Sequence, residues 1–286
     1  KSGMPKEPGF AASAWRIVLG RELSDLWIGG KALILLTLFS VLLGITSYLL
    51  ATNKELNLTP IKEIAYLMLK ITVAFGLFTS LIIGADSLSG ERERGTLEGL
   101  LLTPASRRQI VAGKYLAALS PWPAAFAISV PLIVMLCRDW EVVGPALFWG
   151  FILGTIAVTA FAGLGMLVSF WSNSNRTSIF VSLVVYLVFL LPSQFPGPAQ
   201  TGAFADFLQK WNPIEAANQF LQKVVVNNRT ADEVAFYLES PLLFAALVLG
   251  LLFGYASPGL RLQAGRARMA RPFPGRAAGT LSMIVV

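Results

Sequence analysis

Six long stretches of this chain are free of Asp, Glu, Lys and Arg, or nearly so, and they leave few architectures open. A helix that crosses a bilayer needs about 20 apolar residues at a rise of about 1.5 Å each. Ala32 to Ala51 is the first such stretch. Ile64 to Ala85 is the second, interrupted only by Lys70, and Tyr115 to Cys137 is the third. The fourth lies between Pro145 and Phe170, inside an uncharged run from Val142 to Asn175. Thr177 to Pro192 is the fifth, cut short by Pro192, Pro196 and Pro198, and Ser240 to Leu260 is the sixth. Composition agrees: 55% of the 286 residues are hydrophobic, 14% are charged and the mean hydropathy is +0.65. A soluble domain this apolar has too few polar groups to cover its surface. The fold expected is an all-α, polytopic membrane protein of six spans.

Charge orients the spans. The net charge is +7. With the amino terminus inside, the segments on the inner side hold 16 Lys and Arg residues and the outer loops hold 6. The excess of Lys and Arg in cytoplasmic segments predicts that both termini are cytoplasmic, in a multi-pass protein of the inner membrane. The chain opens polar with Lys1, and its first apolar run is long enough to span, so no cleavable leader is expected. Residues 1–31 are expected to form a cytoplasmic leader whose stretch Phe10–Trp27 lies in the interface as a helix, ended by Gly29-Gly30. Residues 261–286 read as a basic cytoplasmic tail; anionic lipid accounts for its arginines, and no nucleic-acid partner is expected.

Histidine is absent, which removes Ser/His/Asp and Cys/His nucleophilic sites and most zinc sites. Cys137 is the one cysteine, so no internal disulfide exists. No G-x-x-x-x-G-K-[ST] phosphate loop occurs; Gly30-Lys31 and Gly113-Lys114 lack its other residues. No catalytic residue, metal site or cofactor of its own is expected. Asn57, Asn175 and Asn228 each open an Asn-x-Thr triplet, a pattern short enough to arise by chance.

The loop at 86–114, between the second and third spans, is the most informative segment. Glu91-Arg92-Glu93-Arg94 alternates in sign, Gly95-Thr96 interrupts, and Leu97, Leu100, Leu101 and Leu102 make a short apolar face beside Glu98. Asp86, at the inner end of the second span, is expected to be solvated. Thr103-Pro104 reads as the start of the next helix, with Thr as N-cap and Pro at the first helical position. A loop that only obeyed the positive-inside rule would not need Glu91, Glu93 and Glu98. The reading is a short amphipathic helix between two turns, suited to a groove on another protein.

The run Ser89 to Glu98, followed by Leu100-Leu101 and Pro104-Ala105-Ser106-Arg107-Arg108, resembles the signature of type-2 ATP-binding-cassette (ABC) exporter permeases. The chain is also similar in layout to permeases of copper-enzyme maturation systems, such as those serving nitrous oxide reductase, and of sodium or drug efflux. The resemblance implies that this loop is the coupling helix, with Glu91, Arg92, Glu93, Arg94, Gly95, Thr96, Leu97, Glu98 and Leu101 against an ATPase subunit. It implies a second permease copy and two ATPase subunits holding ATP and Mg; membrane lipid is expected around the spans, and an external protein is a partner on the alternative reading given next. It implies export of a substrate. The alternative is a mechanotransmission subunit that drives an external partner without moving solute; an ATP-independent secondary carrier is the third reading.

Within the membrane, two readings of Lys70 stay open: it snorkels to the outer interface, or it faces the pathway. Gly150-x-x-x-Gly154 and Gly250-x-x-x-Gly254 offer small faces for close helix packing, extended by Gly163 and Gly165. The external loop 193–239 is expected to hold two short helices split at Trp211-Asn212-Pro213, where the resemblance places a cap or gate on the pathway.

Overall fold

The computed structural model describes residues 8–52, 59–103, 105–191 and 211–259, with side chains from residue 14 onward. Residues 1–7, Lys54, Pro104, residues 192–210 of the external loop and the basic tail lie outside this set. Among the described residues the regular structure is helical throughout. Helix α1 (Pro8–Trp27) is followed by α2 (Lys31–Thr52), α3 (Ile61–Arg94) and the five-residue α4 (Leu97–Leu101). Then come α5 (Arg107–Leu119), α6 (Pro121–Cys137), α7 (Trp140–Trp171) and α8 (Asn175–Leu190). The last part holds α9 (Pro213–Leu221), a wider turn Gln222–Val226, a tighter one Asp232–Leu238, and α10 (Glu239–Leu251) running on to Gly259.

Five of the described helical segments are long and apolar enough to cross a membrane: α2, α3, α5 with α6, α7, and 232–259. The sixth, α8, is shorter; its 16 residues reach about 24 Å at about 1.5 Å each. The chain is therefore an all-α polytopic membrane protein. α3 and α7 are the most buried of the spans, and α2 and 232–259 the least. Phe39, Leu43, Met68, Leu77, Leu81, Ile133, Val158 and Phe161 meet between α2, α3, α6 and α7 to form the main core. Outward faces of α2, α8 and α10 stay apolar and exposed, as at Leu38, Phe180 and Leu247, as suits helices that meet lipid and not water.

Small residues let α3 and α7 touch backbone to backbone. A Cβ on Gly165 would stand 2.2 Å from the Leu81 carbonyl oxygen, and one on Gly84 would stand 2.5 Å from that of Ala162. Gly150 faces Leu69, and Gly154 makes room for the Trp122 ring, whose N–H donates to the Thr155 hydroxyl at 3.0 Å. So the first of the two Gly-x-x-x-Gly patterns packs within the chain. The second does not: a Cβ on Gly250 or Gly254 would meet nothing within 4 Å.

Three local expectations are corrected. The helix of the second span does not stop near Ala85: α3 runs on unbroken to Arg94, into the stretch expected to be loop. The polar residues Ser89 and Glu91 are buried there against other helices, so packing holds a segment that periodicity alone marks as loop. The helix after the loop starts at Arg107, not at Pro104. Ser106 is its N-cap and forms a capping box with Gln109, a signal present in Ser-Arg-Arg-Gln. Asp86 is not left to solvent but is paired, as described below.

Candidate functional site at the charged end of the bundle

The last turn of α3 carries the alternating charges, and each charge has its own destination. Adjacent helical residues point about 100° apart, so a run of four reaches four different neighbours. Glu91 is buried and faces α5 and α1. It accepts from Lys114 Nζ at 3.3 Å and from the Thr96 hydroxyl. Lys114 also donates to Glu22 of α1 at 2.5 Å, and only 1% of its side chain is exposed. One ammonium thus joins α1, α3 and α5. Gly113 beside it lets α1 approach, since a Cβ there would stand 2.9 Å from Val18.

Arg92 and Glu93 clasp the turn between α7 and α8. The Arg92 guanidinium donates to the Ser172 carbonyl and, at 3.4 Å, to that of Phe170, at the end of α7. The Glu93 carboxylate accepts from the Asn175 N–H at 3.0 Å, at the start of α8. A cation thus meets the negative end of one helix and an anion the positive end of the next, the favourable sense in both cases. Arg92→Gln should therefore cost about 2 kcal/mol, in the range for hydrogen bonds to a charged group. The neighbouring Arg94→Gln, on an exposed side chain, should stay within about 0.5 kcal/mol of the parent. Thermal unfolding in detergent compares the two; equal melting would overturn the assignment.

Asn175 ties the same corner from below. Its amide donates to Asp86 at 2.8 Å and accepts from the Ser89 hydroxyl at 3.0 Å, while Asp86 pairs with Lys31 of α2 at 3.0 Å. Ser169 of α7 accepts from the Leu88 and Ser89 N–H groups at 3.1 and 2.8 Å. Asn175, Lys114, Glu22, Ser169 and Asp86 were not marked out by sequence. A chance-like triplet, ordinary loop charges and a span-end acid gave no sign that they converge.

Gly95 ends α3 at φ +71°, a left-handed conformation that glycine adopts without strain. The chain then turns into α4, which points Leu97 into a cluster with Leu88, Val111 and Tyr115, and Leu100 into another with Val18 and Ile110. Leu101 is half-buried. Glu98, Gly99, Leu102 and Thr103 stay exposed, Leu102 to 75%. The residues expected at a partner surface thus divide into two sets. Glu91, Leu97 and Leu101, with most of Arg92, are used within the chain. Glu93, Arg94, Gly95, Thr96 and Glu98 remain open to the outside, although Glu93 and Thr96 also bond inward.

At the opposite end, Asn212 caps α9. Its side-chain oxygen accepts from Ile214 and Glu215 N–H at 2.9 and 3.3 Å, and its amide donates to the Phe189 carbonyl of α8 at 2.7 Å. Pro213 occupies the first position of the helix, where no N–H is needed. Trp211 is 65% exposed, and its carbonyl accepts from Ser240 at 2.9 Å. Lys70 is half-buried in α3. The structure does not bring it together with Trp211, Asn212 or Pro213 through any described contact.

Part of the chain is similar to the ABC transporter permease protein NatB of Bacillus subtilis (strain 168), at 25% identity over 147 residues. That match covers 44% of this chain and 37% of NatB, so the chain spans well under half of that relative. Residues 16–257, from within α1 to the end of the last span, match the family described as ABC-2 family transporter protein. The chain belongs to this family of ABC transporter membrane proteins.

Proposed function

We propose that the chain is the transmembrane permease subunit of an ABC exporter, driven by a separate ATPase subunit that holds ATP and Mg. Two copies of each would assemble, with both termini and the charged end of the bundle on the cytoplasmic side of the inner membrane. The observation that carries this reading is the division of labour in α4. Two leucines anchor it under the bundle, while Glu98, Gly99, Leu102 and Thr103 face outward. An exposed leucine one helical turn from a carboxylate offers apolar surface to bury and an orienting charge to a protein partner.

Movement of α4 by a closing ATPase would not be lost in a flexible loop. Thr96 hands it to Glu91, and Lys114 passes it to α5 and α1. Arg92 and Glu93 pass it to the α7–α8 turn. α3 then carries it through its contact with α7, so the two halves can rock between inward- and outward-facing arrangements. In this reading the Trp211–Pro213 segment caps the pathway at the far end.

Charge reversal at Arg92 is a poor test, because Arg92 also holds the end of α7. Leu102→Asp combined with Glu98→Lys is the better one, since both side chains are exposed and neither change should affect folding. Co-purification with the cognate ATPase should fall about 30-fold, the equivalent of a hot spot of about 2 kcal/mol. Undiminished recovery of the ATPase would place its contact elsewhere.

A further inference from the structure

A cavity of about 760 Å3 opens at the charged end between α1, the start of α2, α3 and α8. It has two kinds of wall. One is charged, and the other is made of Ile34, Leu35, Ile82, Ile83 and Ile179. On the charged wall, Lys31 is paired with Asp86, and Lys114 with Glu22 and Glu91. Arg21, Arg94 and Asp25 also line it, and none of them forms an ion pair among the described residues. The cavity therefore offers two guanidinium groups and one carboxylate not already committed to each other. Its apolar wall continues outward: Ile34, Leu38, Val41, Leu42 and Ile45 follow one another along an exposed face of α2.

We propose that this cavity binds an aminophospholipid from the adjoining membrane leaflet. The phosphate takes the fork-shaped donors of Arg21 and Arg94, a pairing guanidinium groups favour. The primary ammonium donates to the Asp25 carboxylate. The acyl chains lie on the isoleucines and follow the α2 stripe into the bilayer. A soluble phosphate compound would leave the apolar wall uncovered, and an anionic lipid without an amine would leave Asp25 without a partner. Basic pockets between membrane helices are established headgroup sites, and each arginine contributes about fivefold in affinity.

The test is native mass spectrometry of the full chain in detergent, titrated separately with phosphatidylethanolamine, phosphatidylglycerol and soluble phosphoethanolamine. The parent protein should retain phosphatidylethanolamine in preference to phosphatidylglycerol, and phosphoethanolamine should not displace it. Arg21→Ala with Arg94→Ala should lower phosphatidylethanolamine affinity about 20-fold. Asp25→Asn, a near-isosteric change at an exposed position, should abolish the preference between the two lipids and serves if the double variant does not fold. Equal retention of both lipids by the parent, displacement by phosphoethanolamine, or parent-like binding by both variants would overturn the site. A changed oligomeric mass with unchanged lipid count would assign this face to a second copy instead. None of these readouts involves the ATPase, so the site stands or falls apart from the proposed transport function.

Discussion

Lys114→Met is expected to destabilise the folded chain by about 3–5 kcal/mol, the cost of stranding buried charge by removing its partner. Methionine fills nearly the volume of the lysine stem, so packing changes little and the charge is what is lost. Glu91 and Glu22 would then face each other across the space the ammonium occupied, with 8% and 20% of their side chains exposed. Arg21 lies near enough to act on Glu91 but too far for an ion pair, and offsets only part of the repulsion. Chemical unfolding in detergent, followed by tryptophan fluorescence, measures the loss. Adding Glu91→Gln and Glu22→Gln to Lys114→Met should recover much of it, because the three groups act as one unit. If Lys114→Met were as stable as the parent, or the triple variant no better than the single, the ammonium would not be what joins α1, α3 and α5. ATPase recovery from the triple variant addresses a separate point, whether the link also carries motion.

The apolar helices and the all-α membrane class were legible because a bilayer demands long uncharged runs, and such runs are hard to hide. The break at Asn212-Pro213 was legible too, because proline interrupts a helix locally; the structure shows it to be a capped helix start. The start of α5 was equally available, but Thr103-Pro104 offered a competing signal only three residues away from Ser106. What was not legible depends on residues far apart in the chain. Lys114 looks like its neighbours Arg107 and Arg108, and only the arrival of Glu22 and Glu91 from 92 and 23 residues away makes it a buried hub. The alternation Glu91 to Arg94 announced an interaction but not its direction. Helical geometry sends Glu91, Arg92 and Glu93 to three parts of the same chain, which leaves the outward surface to Arg94 and to the far side of α4. The same holds for the two Gly-x-x-x-Gly patterns, alike in sequence, of which only Gly150–Gly154 meets a neighbour within the chain.

Gly165→Val should be the second large effect, at about 3 kcal/mol, the upper part of the usual range for overpacking. The obstruction is backbone, not side chain. The new Cβ would fall 2.2 Å from the Leu81 carbonyl oxygen and 3.0 Å from the Ala85 nitrogen. A side-chain neighbour could rotate away; a helix backbone has to translate. Moving α7 from α3 by even a fraction of an ångström lengthens the bonds from Leu88 and Ser89 to Ser169 and loosens the Arg92 and Glu93 contacts at the α7–α8 turn. The damage therefore reaches from the α3–α7 contact to the charged end. Gly250→Ala is the matching control, because its Cβ would meet nothing within 4 Å. There the better helix propensity of alanine should raise stability by about 0.5–1 kcal/mol. Unfolding of both variants under one condition decides the matter. A Gly165→Val protein as stable as the Gly250→Ala protein would mean that α3 and α7 do not pack backbone to backbone.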